Sequence, residues 1–205
     1  MRVTSVQRRE REKAEFREEI LEAARQIVLK EGFDGLTMRK IADAVEYSPG
    51  TLYLYFENRD AIAHELVHRG FEQLVRAFAP AATIADPVER LTKVGEIYVK
   101  FGFEHPETYR LIFMEDPKFS TPMFEDEDEN SPGMTALGFL INAFEQLKTQ
   151  GRLDPKTDTQ ELADAIWAAM HGIVSLKLTC HEFPKTPTET LTRIMSHALF
   201  NGILK

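Results

Sequence analysis

The chain of 205 residues has one cysteine, Cys180. No internal disulfide can form, and such sparing use fits a reducing compartment. No run approaches the ~20 apolar residues of a membrane span, and the Arg- and Glu-rich start lacks the apolar core of a signal peptide. The expectation is a cytoplasmic protein with no membrane partner. Strand-like alternation of useful length is also missing, which leaves helices to build the fold. There is no phosphate-cradling glycine loop and no dinucleotide fingerprint. Cys180-His181-Glu182 lines up three reactive side chains, but consecutive residues diverge around a helix and no oxyanion or second-base signature accompanies them. His64 and His68 share a helix face at a spacing that metals use, yet no third ligand lies nearby, so a solvated pair is expected. The sequence gives no reason to expect an enzyme, a cofactor or a metal.

Charge is unevenly spread. Residues 1–40 hold ten Lys/Arg against eight Asp/Glu, whereas residues 61–205 hold fourteen against twenty-one. A net charge of −8 therefore does not exclude nucleic acid, because a groove-facing surface needs local positive charge only. The acidic remainder would repel phosphate and so orient docking.

The stretch from Leu36 to Asp60 reads as two short helices joined by a tight turn. Thr37 is placed to cap the first, with Ile41, Ala42 and Val45 on one side; Ser48 caps the second, with Pro49 at its first position. That is the layout of a helix-turn-helix, whose second helix enters the major groove by its N-terminal end. Leu36-Thr-Met-Arg-Lys-Ile-Ala, Ser48-Pro-Gly-Thr-Leu-Tyr-Leu-Tyr-Phe and Asn58-Arg59 resemble the DNA-binding domain of the TetR family of transcriptional regulators, over about Phe16 to Phe78. The resemblance implies DNA contacts from Thr37, Arg39, Ser48, Pro49, Gly50, Thr51, Tyr53, Tyr55 and Arg59. Leu52 and Phe56 read as core, and Tyr47 as packed. Where the family usually has glycine this chain has Glu46: either Glu46 takes a left-handed conformation at roughly 1 kcal/mol, or the turn is built differently.

Ahead of this, residues 1–13 carry Arg2, Arg8, Arg9, Arg11 and Lys13 and read as a flexible basic arm, either a solvated tail or one that touches phosphate or minor groove. Phe16, Ile20, Ala24, Ile27 and Val28 are helically spaced up to Gly32. A helix from about Asn58 to Phe78 follows the motif and could act as a lever. The small-residue segment Ala79–Asp86 is the expected boundary between cores.

Beyond it, Asp86-Pro87-Val88-Glu89 opens a helix and His105-Pro106 breaks it. The run Glu125–Glu129 reads as a mobile acidic loop, and Ser131-Pro132 opens a helix ending at Gly151. Asp158-Thr-Gln-Glu161 opens a helix with two apolar stripes, and Thr186-Pro-Thr-Glu189 opens the last. The organisation expected is all-α with about nine helices: arm 1–13, helix-turn-helix domain 14–60, connecting helix 61–80, and a helical ligand-binding and dimerisation domain 81–205. Trp167 through Leu176, with His171-Gly172, and His105 through Phe113 are similar to one TetR subgroup. Ile166, Ile173, Leu191, Ile194, Met195, Ala198 and Leu199 are the expected homodimer interface, as in a four-helix bundle. Tyr98, Phe101, Tyr109, Phe113, Phe139, Phe144, Trp167, Met170 and His171 read residue by residue as ordinary core. The resemblance adds the alternative of a pocket for an apolar or aromatic effector. The function expected is a ligand-responsive repressor that binds a palindromic double-stranded DNA operator as a homodimer. The alternative is a small-molecule-binding protein or enzyme on the same scaffold.

Overall fold

The computed structural model describes residues 5–125, 131–180 and 182–204. Among them are ten α-helices and three short 3-10 turns, with no strand. The helices are α1 Ser5–Glu31, α2 Met38–Ala44, α3 Pro49–Leu52, α4 Arg59–Phe78 and α5 Pro87–Glu104, followed by α6 Pro106–Phe113, α7 Pro117–Ser120, α8 Pro132–Thr149, α9 Thr159–Thr179 and α10 Thr188–Ile203. The chain divides into two compact units, Met1–Arg69 with Arg110–Pro122, and Gly70–Tyr109 with Met123–Lys205. The division falls inside α4 and not in Ala79–Asp86, where Ala81 is fully buried. The reason is that α4 carries core residues along its whole length: Ile62, Leu66 and Val67 in one unit, Phe71, Leu74 and Phe78 in the other.

In the first unit, α1 buries Phe16, Ile20, Leu21, Ala24 and Val28 at helical spacing. Ser5–Lys13 are helical and not a flexible arm. Glu, Gln, Arg and Lys favour helix, and Arg8–Glu12 and Arg11–Glu15 pair at 3.3 and 3.4 Å one turn apart. Pro117–Ser120 form a further short helix whose Phe119 is buried, its ring 4.6 Å from that of Phe33 and 5.2 Å from that of His64. Residues 126–130, most of the expected acidic loop, and His181 lie outside the described residues.

The turn after α2 resolves the question of Glu46. Its φ is 59°, with Glu46 N donating to Asp43 O (3.4 Å) and Tyr47 N to Ala42 O (3.0 Å). Gly151 plays the same part after α8, at φ 71°, with Gly151 N to Lys148 O and Arg152 N to Leu147 O, both 2.9 Å. Both turns satisfy the last carbonyls of a helix through a left-handed residue, and only one has the glycine that adopts it freely. Glu46→Gly is therefore expected to stabilise the protein by about 1 kcal/mol, read as a higher urea midpoint at unchanged slope.

A carboxylate–guanidinium cluster ties α1 to the first half of α4. Arg69 bridges Glu18 and Glu65 (Nε to Glu65 Oε1, 2.8 Å), Arg17 joins Glu65 at 3.0 Å, and the Arg17 guanidinium lies over the Phe56 ring at 4.6 Å. The hydrogen bonds from these arginines hold the carboxyls of Glu18 and Glu65 below their ordinary values. A depressed carboxyl pKa contributes stability that is present above the unfolded value and lost as pH falls through the folded one. Melting temperature is expected to drop as pH is lowered below about 4.3, and Arg69→Gln to flatten that drop.

The second unit is a bundle of the C-terminal half of α4 with α5, α8, α9 and α10. Each start that the sequence marks is capped: Asp86 accepts from Val88 N (2.8 Å) and Glu89 N (3.0 Å), Ser131 from Met134 N (3.2 Å), and Asp158 from Gln160 N (2.8 Å) and Glu161 N (3.3 Å). The last helix differs. Pro187, not Thr186, is its N-cap, and it offers no side-chain acceptor.

Candidate nucleic-acid interface and body site

Two caps and two buried side chains create the outward turn. Thr37 Oγ1 accepts from Lys40 N at 3.2 Å and starts α2; Ser48 Oγ accepts from Thr51 N at 3.3 Å and starts α3. Leu52 is fully buried and Phe56 nearly so, which anchors one side of this four-residue helix. Ser48, Pro49 and Gly50 are thereby left exposed, with Thr51 half-buried and its hydroxyl 3.0 Å from that of Ser48. An exposed helix start of proline, glycine and small hydroxyl side chains is a surface that can approach phosphate and base edges closely.

Around it, Tyr53 is 55% exposed. Tyr55 is half-buried, its ring 5.0 Å from that of Phe16 and 5.9 Å from Lys13 Nζ. Tyr47 was expected to pack, and does so on one side only: its ring is 4.3 Å from that of Phe16, yet the residue is 52% exposed. Thr37 and Arg39 are exposed at the start of α2. Arg59 departs from its expected place at phosphate. Its Nη1 donates to the carbonyls of Leu36 (3.1 Å) and Phe33 (3.4 Å), and its Nε lies 3.4 Å from Asp60. Phe33 O also closes the 3-10 turn by accepting from Leu36 N at 3.1 Å, so the guanidinium adds a second donor there and ties the turn to the start of α4. Sequence reasoning gave no role to Leu54, which is 75% exposed beside Tyr53. A large apolar residue between two tyrosines that cannot both face inward was the available signal.

In the second unit, four of the expected pocket residues meet. Tyr109 Oη lies 2.6 Å and Tyr98 Oη 3.2 Å from His171 Nδ1, the hydroxyls are 3.0 Å apart, and the rings of Tyr98 and Trp167 are 5.4 Å apart. Burial holds the His171 imidazole below its ordinary value and pushes both tyrosine hydroxyls above theirs, so all three are neutral near pH 7. With the proton on Nε2, Nδ1 has one lone pair; the shorter contact gives it to the Tyr109 hydroxyl, and the Tyr98 hydroxyl then donates to Tyr109.

The other candidates are spread out. Phe101 and Met170 are buried, and Phe144 is fully enclosed on α8. Phe139 packs on Phe78 at 5.5 Å and borders a cavity of about 660 Å³ with Arg90, Asn142 and Gln146. Phe113 belongs to the first unit. A larger cavity of about 1040 Å³ opens between α5 and α10 and is lined by none of the nine. His64 and His68 sit on α4, and no group of three or more His, Cys, Asp or Glu among the described residues could hold a metal. Cys180 is exposed, with Sγ 3.7 Å from Thr179 Oγ1.

The expected dimer residues divide. On α10, Thr192, Ser196 and Phe200 face inward, whereas Ile194 (48% exposed), Met195 (36%) and Ala198 are exposed, with Leu191 and Leu199 half-buried. Ile166 and Ile173 are buried within the chain and leave little to offer a second copy; the exposed large apolar side chain of α9 is Leu176. Ile166 and Ile173 occupy the α9 stripe that the bundle itself covers, a distinction that spacing alone does not make.

A short capped helix displayed by two others, with a separate helical body, defines a helix-turn-helix protein of the DNA-binding class. Residues 20–66 match the model of bacterial regulatory proteins of the tetR family, and residues 91–198, over half of the chain, match the tetracyclin repressor-like C-terminal domain. The chain belongs to the TetR family. A 63-residue segment is 33% identical to an uncharacterised HTH-type transcriptional regulator of Haemophilus influenzae, covering 31% of this chain and only 34% of that protein. The HTH-type transcriptional repressor AcnR of Corynebacterium jeikeium is 20% identical, over 78% of this chain and 80% of its own. The fold is shared with the transcriptional regulator FadR of Bacillus subtilis in complex with stearoyl-CoA, at a TM-score of 0.69 and 18% identity, covering 90% of this chain and 98% of that one. No helix among the described residues is long and apolar enough to cross a membrane.

Proposed function

We propose that this chain is a ligand-responsive transcriptional repressor that works in the cytoplasm as a homodimer on a palindromic operator. The observation that carries the reading is the outward turn Ser48–Thr51 fixed by buried Leu52 and Phe56. In this reading Ser48, Pro49, Gly50 and Thr51 meet base edges, while Thr37, Arg39, Tyr53 and Tyr55 hold phosphates. One such turn buries too little surface to select a site in a genome, so two are needed, about 34–36 Å or a multiple apart. The outward apolar face of α10, joined by Leu176, supplies the pairing surface.

The second unit would take an apolar or aromatic effector, with the neutral Tyr98, Tyr109, Trp167 and His171 group as its polar anchor, and it is grouped here with the TetR subgroup that shares the Trp167 to Gly172 pattern. A ligand preferring a dimer whose heads no longer fit the groove shifts the population away from DNA. The test is selection of binding duplexes from a random pool, followed by titration with stearoyl-CoA, the ligand bound by the Bacillus subtilis FadR structure, and with a panel of apolar and aromatic acids. Enrichment of a palindrome, and its release by one ligand, supports the reading. A pool that never enriches removes it. A reporter that falls on deletion of the gene would turn the repressor into an activator.

A further inference from the structure

The first three turns of α1 bury nothing. Ser5 to Glu15 are all exposed, and Val6 is the one large apolar side chain among them, so the stretch has no anchor for a protein partner. It is not evenly neutralised either. Arg8 and Arg11 each face a glutamate one turn on, whereas no carboxylate of the described residues pairs with Arg9 or Lys13.

Those two cations share a side. Arg9 and Lys13 are four residues apart, and Lys13 reaches the ring of Tyr55. Phe16, three residues further, packs against both Tyr47 and Tyr55. The stripe Arg9, Lys13, Phe16 therefore runs into the segment that carries α3, and from Ser5 to Phe16 it extends ~16 Å at the helical rise.

We propose that Arg9 and Lys13 prolong the nucleic-acid surface along α1, holding backbone phosphates of the same duplex that receives α3. The proposal rests on the DNA-binding reading of the head. The contacts are sequence-blind, because phosphate oxygens carry no base information, and they add affinity and salt sensitivity without changing the preferred site.

The test uses the full chain and a duplex taken from the selected pool, read by fluorescence anisotropy. Arg9→Gln with Lys13→Gln is compared with Arg8→Gln plus Arg11→Gln, which removes the same charge from the paired positions. Glutamine matches arginine and lysine closely in helix propensity, and circular dichroism checks that helix content is kept. With two heads on one duplex the first pair removes four phosphate contacts, and is expected to flatten the plot of log affinity against log salt by about 3.6 units, so that the wild type's advantage shrinks about 150-fold between about 50 and 200 mM salt. The second pair is expected to change the slope by less than half as much, and base preference to stay the same in both. An unchanged slope, equal effects of the two pairs, or an altered base preference overturns the proposal. A wild-type chain that binds no duplex at any salt removes the DNA reading, and the proposal with it.

Discussion

Gly50→Leu is expected to lower affinity for the selected operator by roughly 100-fold, since each of two heads loses about one base contact of 1–3 kcal/mol. Melting temperature should stay within a degree or two, for reasons visible in the head. A Cβ built on Gly50 meets only Ser48 Oγ, at an ordinary 3.6 Å, and the backbone there is not left-handed. The fold thus has no use of its own for the missing side chain. What the glycine keeps open is the space outside, where a leucine would hold α3 off the groove floor. Anisotropy with the selected duplex, beside a thermal melt, separates the two effects. Full affinity in a folded variant would mean that this turn does not face DNA.

Ile194→Glu combined with Ala198→Glu should convert the protein to a monomer and reduce operator affinity by about 100-fold or more, because two linked heads gain 10²–10⁴ over one. These side chains lie one turn apart on the exposed face of α10, and neither is in the chain's own core. Four carboxylates facing each other across a two-fold interface repel strongly once desolvated. Sedimentation or light scattering reports the state, and a half-site duplex should be bound equally by variant and wild type. A variant that stays dimeric would move the interface elsewhere.

The capped helix starts of both units are legible in the sequence alone. Thr37, Ser48, Asp86, Ser131 and Asp158 are caps whose chemistry is local, acting on amides two or three residues away, so a linear string suffices to find them. Glu46 was legible only as an alternative, because strain at one residue is decided by what its neighbours demand. The body was read less well. Buried and exposed apolar stripes have the same period, so Ile166 and Ile173 looked like Ile194 and Met195. The partition of the aromatics depended on contacts across dozens of residues, such as Tyr98 with His171, which no spacing rule encodes. Arg59 shows a third limit: a cation at a family position turns to the carbonyls of Phe33 and Leu36, partners 26 and 23 residues away that no local pattern announces.

That arginine has a mechanical corollary. With its guanidinium on the carbonyls of Phe33 and Leu36 at one end of the first unit's share of α4, and Arg69 gripping Glu18 and Glu65 at the other, the segment from α1 to Arg69 has little slack. Such a head cannot be retuned by bending within itself. In the proposed dimer, regulation would then act on the separation of two stiff bodies, and such a pair would measure a distance along the double helix.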